Sequence, residues 1–590
     1  MTEQPKPGAL KVGSGLSPLE KQLVKRLIDR DEPLPERFRH ILFPTVNAPR
    51  LYWPGKREEH SAAETRFSVA ERLESPAARR RRNASAGMWR NKLVWADNLQ
   101  LLAALRERPL RREIEAAGGI KLVYIDPPFD AGADFSMTLP IGEDEGGKQP
   151  RHKLKTVAYR DSWGEGEASY LSMMYPRLRL IHELLAGDGS LYLHCDWRAN
   201  SALRLLLDEI FGPGRFVNEI VWHYYNKYSA ASRCLPRAHD TIWVYSKNGS
   251  HVLNELREQR AQPQRQLVRR NVGGVLKNAR DGQGRLIYQT VSDKKGDDVW
   301  RIPQLQPASR EWSGYGTQKH HALLERIIRM GSNEGDLVAD FFCGSGTTLV
   351  AAARLGRKWI GCDAGWLGVH ITRKRLLDVA GGLPAARSGD AAFDLLRPEA
   401  PASGAADKQL QLLDDFSDPR PAGMLPIAAP AMKAEIEVAL TVQGLSVSAA
   451  LTDFSVSAPK GKAGKLETED GNLLISAGQL LRRERKGRGK IKETVLTATW
   501  ADWVDYWAVQ FEAVHFEAEE CEAAPAAALC AGEATFVPSW WASRSYKARR
   551  LPLSSPAHVY PAPGRYTLRV QVIDIFGKSW GKSVPVTLGG

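Results

Sequence analysis

The sequence is poor in the features that mark several large classes of protein. Six cysteines are scattered over 590 residues and none forms a CxxC pair, so neither a disulfide framework nor a four-thiolate zinc site is expected. No metal site of any kind is expected. No stretch approaches the roughly 18 consecutive apolar residues of a membrane span. The opening MTEQPKPGALKVG lacks the apolar core of a secretory signal. The turn GSGTT has no lysine after its last glycine, which argues against a phosphate-gripping loop of the Walker type. What these absences leave is a cytoplasmic chain with reduced thiols and no anchor.

What is present is ordinary globular material with a surplus of positive charge. Hydrophobic residues make up 43% and the mean hydropathy is −0.36, and the length suits roughly two to four domains. Lys and Arg number 82 against 68 Asp and Glu, a net +14. Such a balance points towards polyanions without fixing a function. Two basic runs, Arg79 to Arg82 and RRERKGRGK from Arg482 to Lys490, read by themselves as solvated loops or basic arms in preference to nucleic-acid contacts.

The pattern along the chain predicts four regions. Residues 1–90 are polar and basic, an extension with one amphipathic stretch around Leu19 to Ile28. Residues 91–395 alternate short apolar runs with helical periodicity, the signature of an α/β sheet. Within them, 247–312 loses the alternation and is rich in Arg, Gln, Asn and Gly. Residues 396–430 are Ala- and Pro-rich, as a linker would be. Segments such as EIEVALTV and RYTLRVQVID predict a separate all-β sandwich over 431–590, with its tryptophans packed in the core.

Two motifs carry chemistry. In YIDPPFD (124–130) a strand ends in Asp126, Pro127 and Pro128 stiffen the exit, and Phe129 offers a ring. Asp126 and the Pro127 carbonyl form a slot able to accept both hydrogens of a planar NH₂, with Phe129 as a stacking face. A plain strand ending in an Asp-Pro turn fits the same letters. In ADFFCGSGTTLVAA (339–352) strand, glycine turn and helix let backbone approach a nucleotide-like ligand at the carboxyl edge of a parallel sheet. A tight strand–helix connection is the alternative. Asp363 ends the following strand, KWIGCD, where an acidic side chain accepts from a ribose hydroxyl.

DPPF ahead of DFFCGSGTT, with Tyr315-Gly-Thr-Gln-Lys319 between them, resembles the permuted, β-arrangement amino-group DNA methyltransferases, and is similar to type III-like modification methylases. The resemblance extends over ADNL, SYLSMMYPRLRL, GSLYLHCD, RAHDTIWVYSK and TQKHHALLERII, from residue 91 to about 380. It implies an α/β, Rossmann-like methyltransferase domain with S-adenosyl-L-methionine as cofactor, followed by an Ig- or PKD-like sandwich. In that reading Asp340, Phe342, Gly344, Gly346, Thr347 and Thr348 surround the methionine part of the cofactor. Asp363 holds its ribose, Asp97 faces its adenine, and Thr317, Gln318 and Lys319 close the pocket. Phe341 and His320 stand where the family usually has proline.

The resemblance also implies the reaction and its partners. An Asp-led DPPF favours adenine N6, with cytosine N4 as the alternative. The route to 5-methylcytosine needs a thiolate, usually in a Pro-Cys pair, and no cysteine here follows a proline. Methylation of a protein glutamine uses NPPY after the glycine loop, the reverse order. A non-catalytic DNA-binding specificity subunit is a third reading. Double-stranded DNA is the expected partner, with 247–312 in the place of target recognition and Arg265, Arg269, Arg270, Lys277 and Arg280 as its contacts. A helicase or nuclease subunit of a restriction-modification or phage-defence system would supply translocation or cleavage, and a dimer is left open.

Overall fold

The structure is a computed structural model that describes residues 18–30, 50–54, 56, 65–74, 89–129, 133–144, 150–161, 166–227, 234–382, 392–399, 432–457, 465–466, 473–486, 490–511, 535–546 and 549–589. The Arg79–Arg82 run and all but the first few residues of the expected linker lie outside them.

Ten strands form one sheet in the order Phe67–Leu73, Phe393–Pro398, Asn91–Trp95, Lys358–Asp363, Leu337–Asp340, Ile120–Ile125, Leu185–Cys195, His239–Ser246, Phe216–His223, Val299–Arg301. The second to seventh of these run parallel, and His239–Ser246 is antiparallel to both neighbours. Parallel strands buried on two faces read as near-continuous apolar runs, and KLVYI does. Val123 and Ile125 enter one core with the helices Asn98–Arg106, Glu167–Leu184 and Asn200–Phe211. Leu122 and Tyr124 enter the opposite core with His321–Gly331, Thr347–Arg354 and Trp366–Gly382. The result is a doubly wound, Rossmann-like α/β sheet.

The chain leaves Leu337–Asp340 for Lys358–Asp363 on one side and Ile120–Ile125 for Leu185–Cys195 on the other. Between these diverging connections the carboxyl ends of two neighbouring strands open a crevice, the place where such sheets take ligands. Asp340 and Asp126 stand there, one at each strand end.

Three regions depart from the expected organisation. Part of the supposed extension supplies the sheet's outermost strand, Phe67–Leu73, paired antiparallel with Phe393–Pro398; the amphipathic stretch is the helix Pro18–Asp29. A hairpin, Ala133–Ile141 with His152–Asp161, follows directly on the Pro-Pro motif. The stretch 247–312, expected to serve target recognition, contains two hairpins, Arg257–Leu267 with Tyr288–Lys295 and Arg269–Val272 with Val275–Asn278. Sequence pattern missed the two insert hairpins because their strands are largely exposed, and alternation shows only where one face is buried.

The C-terminal residues form three further antiparallel sheets, and they are not separate from the first domain. Their core is continuous with Met137, Leu139, Ile141 and Leu154 of the hairpin and with Tyr315 and Ile371. Asp505 receives Lys374 and His370, the latter at 3.0 Å, with Arg549 3.6 Å away. Burial alone would raise Asp505, but the Lys374 charge, the His370 hydrogen bond and the Arg549 charge hold its carboxyl well below the usual carboxylate range. Burial pushes His370 down to about 4. Arg373 pairs with Glu71 at 2.8 Å, and Gln571 donates to the same carboxylate at 2.8 Å. Edge strand, helix and β-domain are thus joined through one buried carboxylate. The described residues of the basic run, 482–486 and Lys490, are strand: Arg483 pairs with Glu493 at 2.7 Å and Arg482 donates to the Lys153 carbonyl.

Candidate active site

Asp126 leaves the end of Ile120–Ile125 with its two carboxylate oxygens in different situations. Oδ2 pairs with Lys319. Oδ1 is buried and accepts no hydrogen bond. The nearest donor-bearing ring, His194, has Nδ1 3.5 Å away and is already engaged. Its Nε2 meets Asp240 at 3.3 Å and its Nδ1 meets the Tyr124 hydroxyl at 2.9 Å. Burial would raise Asp240, yet the His194 hydrogen bond, the Lys319 charge and the Tyr224 hydroxyl hold it below its ordinary value. A carboxylate only accepts, so we assign the ring proton to Nε2 and an acceptor role to Nδ1. Phe129 is half-buried beside this group. Its ring lies 5.7 Å from the His194 ring and 5.7 Å from Lys319 Nζ, and its N–H donates to Asp161 at 3.0 Å.

The facing wall is built by the glycine turn. Asp340 accepts from the Phe342 N–H at 3.0 Å and the Thr348 hydroxyl at 2.5 Å. Burial pushes its carboxyl up to about 7 against those bonds. Gly344 and Gly346 sit at φ 49° and 74°, where an L side chain is strained. A Cβ on Gly344 would also meet the Tyr315 ring at 3.2 Å, and one on Gly346 would strike Thr372. Asp363 accepts from the N–H groups of Gly344 and Gly365 at 2.8 and 2.7 Å, and burial raises it. Each carboxylate oxygen has two lone pairs, which leaves Asp363 able to take a further donor.

These walls enclose a cleft of about 920 Å³, its open mouth included, within the range of sites that hold cofactor-sized molecules. Of the residues singled out in the sequence, Asp126, Pro128, Thr317, Lys319, Asp340, Phe342, Gly344, Thr347, Thr348 and Asp363 border it. Pro127, Phe129, Gly346, Gln318 and Asp97 do not. Gln318 latches the preceding loop, accepting from Ser313 N–H at 2.9 Å and donating to the Glu311 carbonyl at 2.7 Å. The Asp97 carboxylate caps the next helix through the Leu99 N–H (2.7 Å) and pairs with Arg177 at 2.8 Å, so its neighbour Asn98 meets the cleft instead.

Sequence reasoning missed Tyr315, Asn98 and Tyr124 on the wall and the His194–Asp240 pair behind it. Tyr315 heads the YGTQK run and was within reach; His194 sits inside an apolar strand with nothing to mark it. Cys343 also borders the cleft, but burial pushes its thiol well up, which makes it inert.

The expected DNA contacts lie elsewhere. Arg265, Arg269, Arg270, Lys277 and Arg280 are all exposed on the insert. Arg265 stacks on Tyr288 at 4.5 Å and Arg280 donates to the Gly284 carbonyl at 2.6 Å.

A doubly wound sheet with a glycine turn, three carboxylates and a Pro-Pro exit at its switch point defines an α/β enzyme that binds a nucleotide-like ligand. Comparison with known proteins narrows the class. The DNA methylase family of N6 and N4 enzymes matches residues 120–374. Type II methyltransferase M1.MboII of Moraxella bovis is 30% identical over 203 residues, 33% of this chain and 74% of that one. Type II methyltransferase M.EcaI of Enterobacter cloacae is 28% identical over 376 residues, 55% of this chain and 77% of that one. Among solved structures, M1.HpyAVI in complex with SAM is 18% identical with a TM-score of 0.29, covering 48% of this chain and 98% of that one. The chain belongs to this family of DNA methylases.

Proposed function

We propose that the protein transfers a methyl group from S-adenosyl-L-methionine to adenine N6 in double-stranded DNA, marking host DNA in a restriction-modification or phage-defence system. The observation that carries this reading is Asp126 Oδ1: a buried, unpartnered acceptor in the same cleft as Asp340 and Asp363. The cleft fits the cofactor, since a glycine turn that no Cβ could share lies between two carboxylates able to meet a cation and a ribose. Asp340 and Thr348 would hold the methionine end and Asp363 the ribose. The cofactor would bring an electrophilic sulfonium methyl.

The residues act on the amine. The N6 lone pair is delocalised into the ring and is a poor nucleophile. Asp126 Oδ1 and the Pro127 carbonyl, by accepting its two hydrogens, draw the nitrogen towards tetrahedral geometry and direct its lone pair. Asp126 then takes the proton that the nitrogen sheds on gaining its new bond. Phe129 stacks on the base, which must first be flipped from the duplex at a cost of a few kcal/mol. An Asp-led slot supports adenine over cytosine N4. Translocation or cleavage is left to helicase or nuclease subunits of the same system, in the cytoplasm where the DNA is. Among the described residues no helix is long and apolar enough to cross a membrane. The C-terminal sheets, Ig- or PKD-like in sequence, brace the cleft through Tyr315.

Full-length protein incubated with labelled donor and mixed-sequence duplex, followed by digestion to nucleosides, tests the reading. N6-methyldeoxyadenosine is expected. N4-methyldeoxycytidine would overturn the choice of base, and unlabelled DNA from protein that binds the donor would overturn the activity.

A further inference from the structure

Charge is unevenly spread along the insert. Its acidic residues sit at the base, where Glu258 pairs with Arg326 at 2.5 Å and Asp293 with Arg257 at 2.6 Å. Arg326 also lies 4.5 Å over Trp300, so the base is fastened to the helix His321–Gly331. From 259 to 292 the chain carries seven Lys and Arg and a single acid, Asp281. That acid is committed to its own turn, accepting from Gln283 and Arg285 N–H at 2.9 Å.

At the far end stands the hairpin Arg269–Val272 with Val275–Asn278, closed by Gly273 and Gly274 at φ 61° and 83°. Both glycines adopt the left-handed values that a two-residue turn demands. All ten residues 269–278 are exposed, Val272, Val275 and Leu276 by more than half. Among the described residues nothing pairs with the side chains of Arg269, Arg270, Asn271, Lys277 or Asn278. A two-stranded ribbon without a third strand is marginal in water, and exposed aliphatics at its tip need a reason.

Register sorts the side chains. The partners Arg269↔Asn278 and Asn271↔Leu276 share one face; Arg270↔Lys277 and Val272↔Val275 share the other. The first face holds Arg and two Asn, the residue types that bind guanine and adenine edges bidentately, with a Leu suited to a thymine methyl. The second holds two cations without hydrogen-bonding amides, suited to phosphates. A two-stranded ribbon fits the major groove.

We propose that this hairpin enters the DNA major groove with Arg269, Asn271 and Asn278 towards the base edges and Arg270 and Lys277 towards the backbone, the asparagine face setting the methylated sequence. The inference rests on the methyltransferase reading and deepens it. Two double variants of the full chain test it, Asn271→Ala/Asn278→Ala and Arg270→Ala/Lys277→Ala, with donor binding by calorimetry showing that both remain folded. In cells, sequencing of methylated bases is expected to show a changed or relaxed target for the asparagine pair and the original target for the basic pair. In vitro, each lost bidentate contact weakens binding to the wild-type target roughly 5- to 150-fold. The basic pair lowers the slope of log affinity against log salt by about 2. An unchanged target in the asparagine pair, or a changed one in the basic pair alone, overturns the assignment while leaving the activity standing. Should wild-type protein methylate nothing, the methyltransferase reading fails, and the salt slopes still judge the hairpin: no change for the basic pair overturns it.

Discussion

The seam where the C-terminal β-domain meets the α/β sheet and the insert 247–312 both carry clustered cations, yet the structure treats them oppositely. In the first, Arg373, Lys374 and Arg549 are sunk among Glu71, Asp505 and aromatic rings, with Arg373 3.9 Å over Tyr506. In the second, five polar side chains on a ribbon face solvent with no partner among the described residues. Charge that is buried must be paired or it is very costly, so the paired set acts as a joint. Charge left exposed and unpaired contributes little to folding and is available to a polyanion. The same residue types do different work according to what surrounds them.

Removal of everything beyond residue 399 is the harshest test of that contrast. It would strip Arg373 and Lys374 of their carboxylate or ring partners and bare the apolar faces of Tyr315 and Ile371. Since Tyr315 covers Gly344 on the cleft wall, the truncated chain is expected to be insoluble or unable to bind donor. Replacing 269–278 by a short glycine turn should leave donor affinity and thermal midpoint near wild type and abolish DNA methylation. A soluble, donor-binding truncation would make the β-domain a detachable module after all.

Between the two regions lies the slot itself. Asp126→Ala is expected to lower methyl transfer by at least ~10³-fold, about 4 kcal/mol, with donor affinity within a few-fold, because in the proposed reaction the carboxylate meets the amine and not the sulfonium. Radiolabel transfer at saturating donor measures it; substantial turnover would remove Asp126 from the reaction.

Asp505→Ala sharpens the joint by single residue. Loss of one partner of a buried ion pair costs about 3–5 kcal/mol, and here it abandons Lys374, whose ammonium burial already pushes down. Urea unfolding should register that loss, whereas Arg270→Ala on the hairpin should shift stability by less than about 0.5 kcal/mol. Comparable effects for both would erase the distinction.

Smaller effects concern the cleft. One charge-assisted hydrogen bond to a ribose hydroxyl is worth about 1.5–3 kcal/mol, so calorimetry of Asp363→Ala should find donor affinity down roughly 10- to 150-fold. Unchanged affinity would place the ribose elsewhere. Asp340, held up at about 7 by burial, is partly protonated at neutral pH before a cationic donor binds. The cation favours the carboxylate, so binding releases a proton and tightens as pH rises through 7. Below it, affinity should fall by up to about tenfold per pH unit, and Asp340→Asn should flatten the profile. A flat wild-type profile would show that Asp340 does not meet the cation.

By itself the sequence determined the α/β layout and the two chemical motifs. Short apolar runs ending in Asp126, Asp340 and Asp363 fixed strands and their carboxyl ends, because parallel strands buried on both faces have no other pattern open to them. GSG marked the turn because only glycine tolerates those angles and that closeness. The tertiary structure alone decided what those ends meet. That Asp97 caps a helix and pairs with Arg177, that His194 stands behind Asp126, and that Tyr315 joins the cleft to a domain more than a hundred residues away are contacts between distant segments, which local pattern does not encode. The joint was hidden for the same reason: Asp505 and Lys374 each look like solvent-facing charges until folding brings them together, largely buried.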